Sequence, residues 1–222
     1  MNTPLKPQAA FVYLASQSPR RAELLDQLSV PYRKLTPLEC GFEPGSQALQ
    51  DQLQQLEALE EARSGEEPLD YVQRVTVSKF KAALALSGAH PHFERQCPVL
   101  SADTTVALGR SILGKPLSIQ DAQEMLERLS GHTHEVFTSV VVGTHEGFEQ
   151  RLSHSWVEFA PLTAQGIDSY LQTLEWTGKA GGYGIQGRAA SFISGIRGSY
   201  SGIMGLPLFE TAGLLRPYGL TP

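Results

Sequence analysis

The chain is poor in cysteine: Cys40 and Cys97 are the only two among 222 residues. Two thiols so far apart make neither a disulfide scaffold nor a cysteine-rich zinc site, and they read as free thiols in a reducing compartment. Long apolar runs are missing too. No segment approaches the ~20 residues of a membrane-spanning helix. The apolar stretch Ala9–Ala15, behind one Lys and two Pro, is too short and poorly flanked for an export signal. These absences predict a cytoplasmic protein with no membrane partner. Positive charge is also scarce, with 18 Lys and Arg against 23 Asp and Glu and a formal net charge of −5. There is no basic stripe, so a nucleic-acid partner is not expected, although a local basic site can still take a small phosphate ligand. Internal repeats, a Walker A sequence and a glycine fingerprint running from strand into helix are all absent.

What is present is a globular composition, 41% hydrophobic and 18% charged, on a chain long enough for one domain of two lobes around a cleft. Residues 10–15 read as a buried strand, and Ser18-Pro19 as the cap and first residue of a helix that ends near Ser29. Residues 46–64 carry Leu49, Leu53, Leu56 and Leu59 at helical spacing. They are expected to form a surface helix that packs on its own domain and stays clear of the motifs described below. A second helix is expected at 69–86 and a strand from Pro98 to Ser101, extended again over Thr105–Leu108. Ser118 to Ser130 is the clearest helix, with Ala122, Met125, Leu126 and Leu129 on its buried face and Gly131 as its stop. Strands at 134–143 and 149–160 flank a turn, followed by a helix at 164–174, a glycine-rich loop, a strand at 191–196 and a last helix from Leu206-Pro207. Helices alternate with strands, but one strand pair is a hairpin, so the class is α/β with a mixed sheet.

Three stretches carry chemistry. In Leu14-Ala15-Ser16-Gln17-Ser18-Pro19-Arg20-Arg21, two arginines occupy a first helical turn, where they oppose the macrodipole. An anion docked there removes the conflict; the alternative is an ordinary solvated pair. In Ala102-Asp103-Thr104-Thr105-Val106, Asp103 at a strand end can hold a divalent metal or accept a proton, or simply cap a turn. Lys179-Ala180-Gly181-Gly182-Tyr183-Gly184-Ile185-Gln186-Gly187 is a loop whose glycines permit close approach to a ligand. Lys115, between Gly114 and Pro116, can meet a phosphate or be an exposed loop residue; Lys79 on its helix is a weaker candidate. The pair His132 and His134 lacks a third ligand at helical spacing and is not read as a metal site.

Taken in order, these blocks resemble the Maf family of nucleotide pyrophosphatases. The further blocks Ile112-Leu113-Gly114-Lys115-Pro116, Leu129-Ser130-Gly131-His132-Thr133-His134-Glu135-Val136-Phe137-Thr138 and Gly205-Leu206-Pro207-Leu208 extend the match from Leu14 to Leu208. The resemblance implies the fold shared with inosine triphosphate pyrophosphatases, a long mixed sheet flanked by helices, in a homodimer. It implies hydrolysis of a nucleoside triphosphate to monophosphate and pyrophosphate with a divalent cation (Mg, Mn or Co). Asp103 falls at the proton acceptor, and Ser16, Arg20, Arg21, Lys79 and Lys115 at the phosphate-binding groups. Arg20, Thr104 and Gln186 match the residues that read the base in the dTTP/UTP branch, where a 7-methyl-GTP branch has an aromatic residue, Gln and Glu. A non-catalytic nucleotide-binding regulator of septum formation is the alternative from another class. Two departures stand out. Against the family, the Gln- and Leu-rich segment at 46–64 looks like an insertion. Where the family has a pair of acids after the first helix, this chain has Glu39 then Cys40, so the second acid of the metal site is expected at Glu39, at Glu43, or nowhere.

Overall fold

The computed structural model describes residues 8–221. Residues 1–7, which hold the Lys and the two Pro that precede the apolar stretch Ala9–Ala15, lie outside it. The sheet has seven strands: β1 (Val12–Leu14), β2 (Tyr32–Lys34), β3 (Val99–Leu108), β4 (Ser111–Leu113), β5 (Thr133–Thr144), β6 (Gly147–Phe159) and β7 (Ile193–Arg197). Their order is β2-β1-β3-β5-β6-β7, with β4 paired to β3. The β1–β2 and β1–β3 pairs are parallel and the others antiparallel, so the sheet is mixed, as the predicted hairpin requires.

Around it lie α1 (Pro19–Gln27), α2 (Gln47–Ala58), α3 (Pro68–Leu86), α4 (Ile119–Leu129), α5 (Ala164–Leu171), α6 (Tyr200–Met204) and α7 (Leu208–Leu215). The local signals act as expected in α4. Ser118 accepts from the Asp121 amide at 3.1 Å, the Asp121 carboxylate accepts from Leu117 N–H at 2.9 Å, and Ala122, Met125, Leu126 and Leu129 are its buried residues. Two apolar clusters form. One packs β1, α1 and the first half of β3 with Val140–Val142. The other packs Val106 and Leu113 with α4, α5 and Tyr183.

The helix α2 departs from expectation. Its leucine stripe buries nothing: no residue of α2 is fully buried. Leu53 and Leu56 instead line a cleft, where a wall of half-covered side chains faces solvent rather than core. The segment therefore does not stay clear of the motifs. The short elements β2, β4 and α6, of three to five residues, appear where no element was expected.

The topology also moves Asp103 from a strand end to the middle of a strand. It pairs with Ser139 of β5, five residues into a continuous β3. What ends there is the neighbour. The last bond from β1 is Ala15 N–H to Leu100 O at 2.8 Å, and β4 joins the same edge only at Val106. Between them the edge of β3 is unpaired by strand, and the chain leaves β1 for α1. This gap is where the cleft opens, as expected where neighbouring connections diverge in a sheet.

Candidate active site

A cleft of about 550 Å³ lies over this gap, within the range of small-ligand sites. Both apolar clusters contribute to its wall, through Leu35 and Ala102 on one side and Val106 and Tyr183 on the other. Five cations line it, Arg20, Arg21, Lys79, Lys115 and Lys179, against three carboxylates, Glu57, Glu60 and Asp103. A chain of net charge −5 thus concentrates positive charge at one place, which suits an anionic ligand.

Ser18 begins α1 without a side-chain cap, and its amide bonds Ser16 Oγ at 3.2 Å. Arg21 turns back into the cleft, where Nη1 donates to Ser16 Oγ at 3.1 Å and Nε to the Gly205 carbonyl at 2.9 Å. Surrounding protein lowers the pKa of Arg21; Asp103 opposes that shift. Burial also lowers Arg20, with Glu23 opposing. No acid stands in the first turn of α1, so the two cations there oppose the helix dipole, a conflict that a docked anion removes.

Asp103 is buried, with 8% of its surface exposed. Its Oδ1 accepts from Lys79 Nζ at 2.6 Å, and the same ammonium donates to Glu60 Oε1 at 2.6 Å. Glu60 Oε2 accepts from Lys115 Nζ at 2.7 Å. Burial pushes the Glu60 carboxyl up, but Lys79 and Lys115 outweigh it and hold the group below the usual carboxylate range. Glu60 escaped the sequence reading because nothing local separates it from Glu57 or Glu61. Residues expected in its role lie elsewhere. Glu39 is exposed, bonded to Thr36 Oγ1, and outside the cleft lining, as is Glu43.

Thr104, the next residue of β3, is also in the lining, and its hydroxyl accepts from Thr138 Oγ1 at 3.0 Å. The glycine loop forms the far wall. Gly181 has φ 69° and packs so closely that a Cβ would meet Val106 Cγ1 at 3.0 Å, so backbone freedom and lack of side chain are both used there. Tyr183 of this loop is anchored by His134 Nε2 at 2.7 Å. His132 is exposed and bonded to the Ser130 carbonyl, so the two histidines serve different elements. Gln186 sits exposed on the loop, outside the lining. Lys179, also missed from sequence, enters the lining at the start of the loop. Burial lowers its pKa, Arg20 adds to the shift, and its ammonium donates to the Glu175 carbonyl.

Among the described residues no group of three or more His, Cys, Asp or Glu gathers as a complete cation cage. Two carboxylates converging on one ammonium do fit an ion such as Mg²⁺, which takes one or two protein carboxylates and completes its shell with water and substrate phosphates. No helix among them is long and apolar enough to cross a membrane.

Residues 11–218 match the Maf-like protein family. A protein of a Polaromonas species named dTTP/UTP pyrophosphatase is 50% identical over 218 residues, spanning 96% of this chain and 98% of the relative. Proteins of the same name from Cupriavidus metallidurans and Burkholderia thailandensis are each 51% identical, over 95% of this chain and 98% and 94% of their own lengths. With the blocks that line the cleft all inside the matched region, this chain belongs to the Maf family.

Proposed function

We propose that this protein hydrolyses dTTP and UTP to the nucleoside monophosphate and pyrophosphate. The observation that carries the reading is the meeting of Arg20, Arg21, Lys79 and Lys115 with buried Asp103 in one cleft. Relatives near 50% identity that bear the dTTP/UTP pyrophosphatase name support the substrate class.

Water attacks the α-phosphorus, the bond to the α–β bridging oxygen breaks, and pyrophosphate leaves. Asp103 accepts the proton of that water. Arg20, Arg21 and Lys115 hold the phosphate oxygens and answer the charge that gathers on the leaving group. Lys79, already between the two carboxylates, donates to both and holds them close together. Asp103 and Glu60 would hold the divalent cation, which when bound supplies charge neutralisation at the phosphates. Thr104 and Arg20 reach the base or sugar from the lining, and Gln186, which has both a donor and an acceptor, reads the pyrimidine edge once the loop meets the ligand. A homodimer and a cytoplasmic setting belong to the same reading, supported by the family resemblance and by two cysteines without a disulfide partner.

Pyrophosphate release measured over a panel of canonical and modified nucleotides tests this. Highest kcat/KM on dTTP and UTP is expected. Preference for 7-methyl-GTP, or binding without release, sinks the reading.

A further inference from the structure

Glu60 reaches the middle of the cleft from a stretch that neither helix nor strand holds, since α2 ends at Ala58 and α3 starts at Pro68. Three contacts from α3 fix it. Arg74 Nη1 donates to the Leu59 carbonyl at 3.2 Å and Nη2 to the Glu61 carbonyl at 2.9 Å. Between them the Tyr71 hydroxyl donates to the Glu60 carbonyl at 2.7 Å. Three consecutive carbonyls are thus caught by two side chains one turn apart on one helix face. Arg74 is itself held by Glu66, with Nε to Oε1 at 2.6 Å and Nη2 to Oε2 at 2.8 Å, and Glu66 also accepts from the Arg63 amide at 3.0 Å. A rigid fork with five donors can span two carbonyls and a carboxylate; a lysine ammonium cannot. The same helix carries Lys79, which meets the Glu60 carboxylate.

We propose that Arg74 and Tyr71 are positioning residues for the reaction: they set the Glu60 carboxylate against Lys79 and Lys115 and control the rate without touching substrate. The inference rests on the reading that Glu60 works beside Asp103. Free of the clamp, the 59–61 carbonyls would lose their α3 donors, and only the amide bonds of Leu59, Glu60 and Glu61 to the last turn of α2 would remain, on a helix that buries no residue.

The test is a double-mutant cycle on dTTP hydrolysis, with hydrogen exchange read over residues 59–66. Arg74→Met is expected to lower kcat/KM by about 10–100-fold, as loss of a supporting contact does at such sites, and Arg74→Lys is expected not to restore it. Exchange should rise in 59–66 and stay unchanged in the sheet. The decisive arm is Arg74→Met combined with Glu60→Gln, which should be no slower than Glu60→Gln alone. Losses that multiply in full, or faster exchange at 59–66 with undiminished turnover, overturn the clamp. Wild-type turnover of Glu60→Gln overturns the Glu60 reading itself, and does so in a different variant. If Arg74→Met does not fold, Tyr71→Phe, which loses one hydroxyl, is put through the same cycle with the same two outcomes.

Discussion

A carboxylate in mid-strand with almost no exposed surface is costly unless a cation answers it. Asp103 is answered by Lys79 at 2.6 Å, and the unpaired stretch of the β3 edge gives ligand access to the place where it stands. Asp103→Asn keeps the shape and removes both charge and basicity. It is expected to cut pyrophosphate release by about 10²-fold or more, with circular dichroism unchanged; near-wild-type turnover removes Asp103 from the mechanism. The proposed base reading by Arg20, Thr104 and Gln186 is tested at single residues as well. The triple change Arg20→Trp, Thr104→Gln and Gln186→Glu should move the ratio of kcat/KM away from dTTP and UTP and toward 7-methyl-GTP. An unchanged ratio would place base reading elsewhere in the cleft.

At the scale of elements, α2 is held at its C-terminal end and serves the cleft rather than the core. Leu53→Ser with Leu56→Ser is therefore expected to shift the melting temperature little, because neither side chain is fully buried. It should raise KM several-fold with kcat nearly kept, on the order of 1 kcal/mol of lost apolar contact. A large drop in melting temperature would instead make the stripe part of the core. The segment also carries Glu60, so removing residues 47–64 is expected to abolish turnover, whereas a shorter deletion that stops at Ala58 spares the acid. Ser46, which caps α2 by accepting from Leu49 N–H at 3.1 Å, gives the helix its start without any help from the core.

The whole molecule carries one pH dependence that joins two motifs. His134, on β5, is buried against Tyr183 of the glycine loop, and burial lowers its pKa to about 4. Burial likewise pushes the Tyr183 phenol up, so both partners stay neutral near pH 7. An unfolded histidine titrates near 6.5. The folded value is the lower one, so this contribution is full above about pH 6.5 and is lost as pH falls toward about 4. It amounts to up to ~3 kcal/mol. Urea unfolding at a series of pH values should show stability falling through that window, and His134→Gln should flatten the fall; an unaltered slope in the variant refutes the assignment. The Glu66 carboxyl, held at about 2 by its bond to Arg74, adds a second loss, confined to the lower range from about 4.5 down to about 2.

Local patterns were enough to read much of this. The buried face of α4, the start of α1 at Ser18-Pro19, the β5–β6 hairpin and the mixed sheet all follow from periodicity, caps and turns, which act over a few residues. The motif residues Ser16, Arg20, Arg21, Asp103, Thr104 and Lys115 were legible because each sits in a run of unusual neighbours, and the fold brings them with Lys79 into one cleft. Glu60 was not legible. It is one of several acids on a Gln/Glu-rich stretch, and what singles it out is the company of Lys79, Lys115, Tyr71 and Arg74. Those contacts span 11 to 55 positions of chain, so no local pattern records them. Likewise β2, β4 and α6 are too short to show a period and exist because a neighbour pairs or packs with them. The sequence by itself determined the longer elements and the chemistry available to them. Only the tertiary structure decided which carboxylate stands beside Asp103, because that choice depends on which distant cations the folded chain brings within reach.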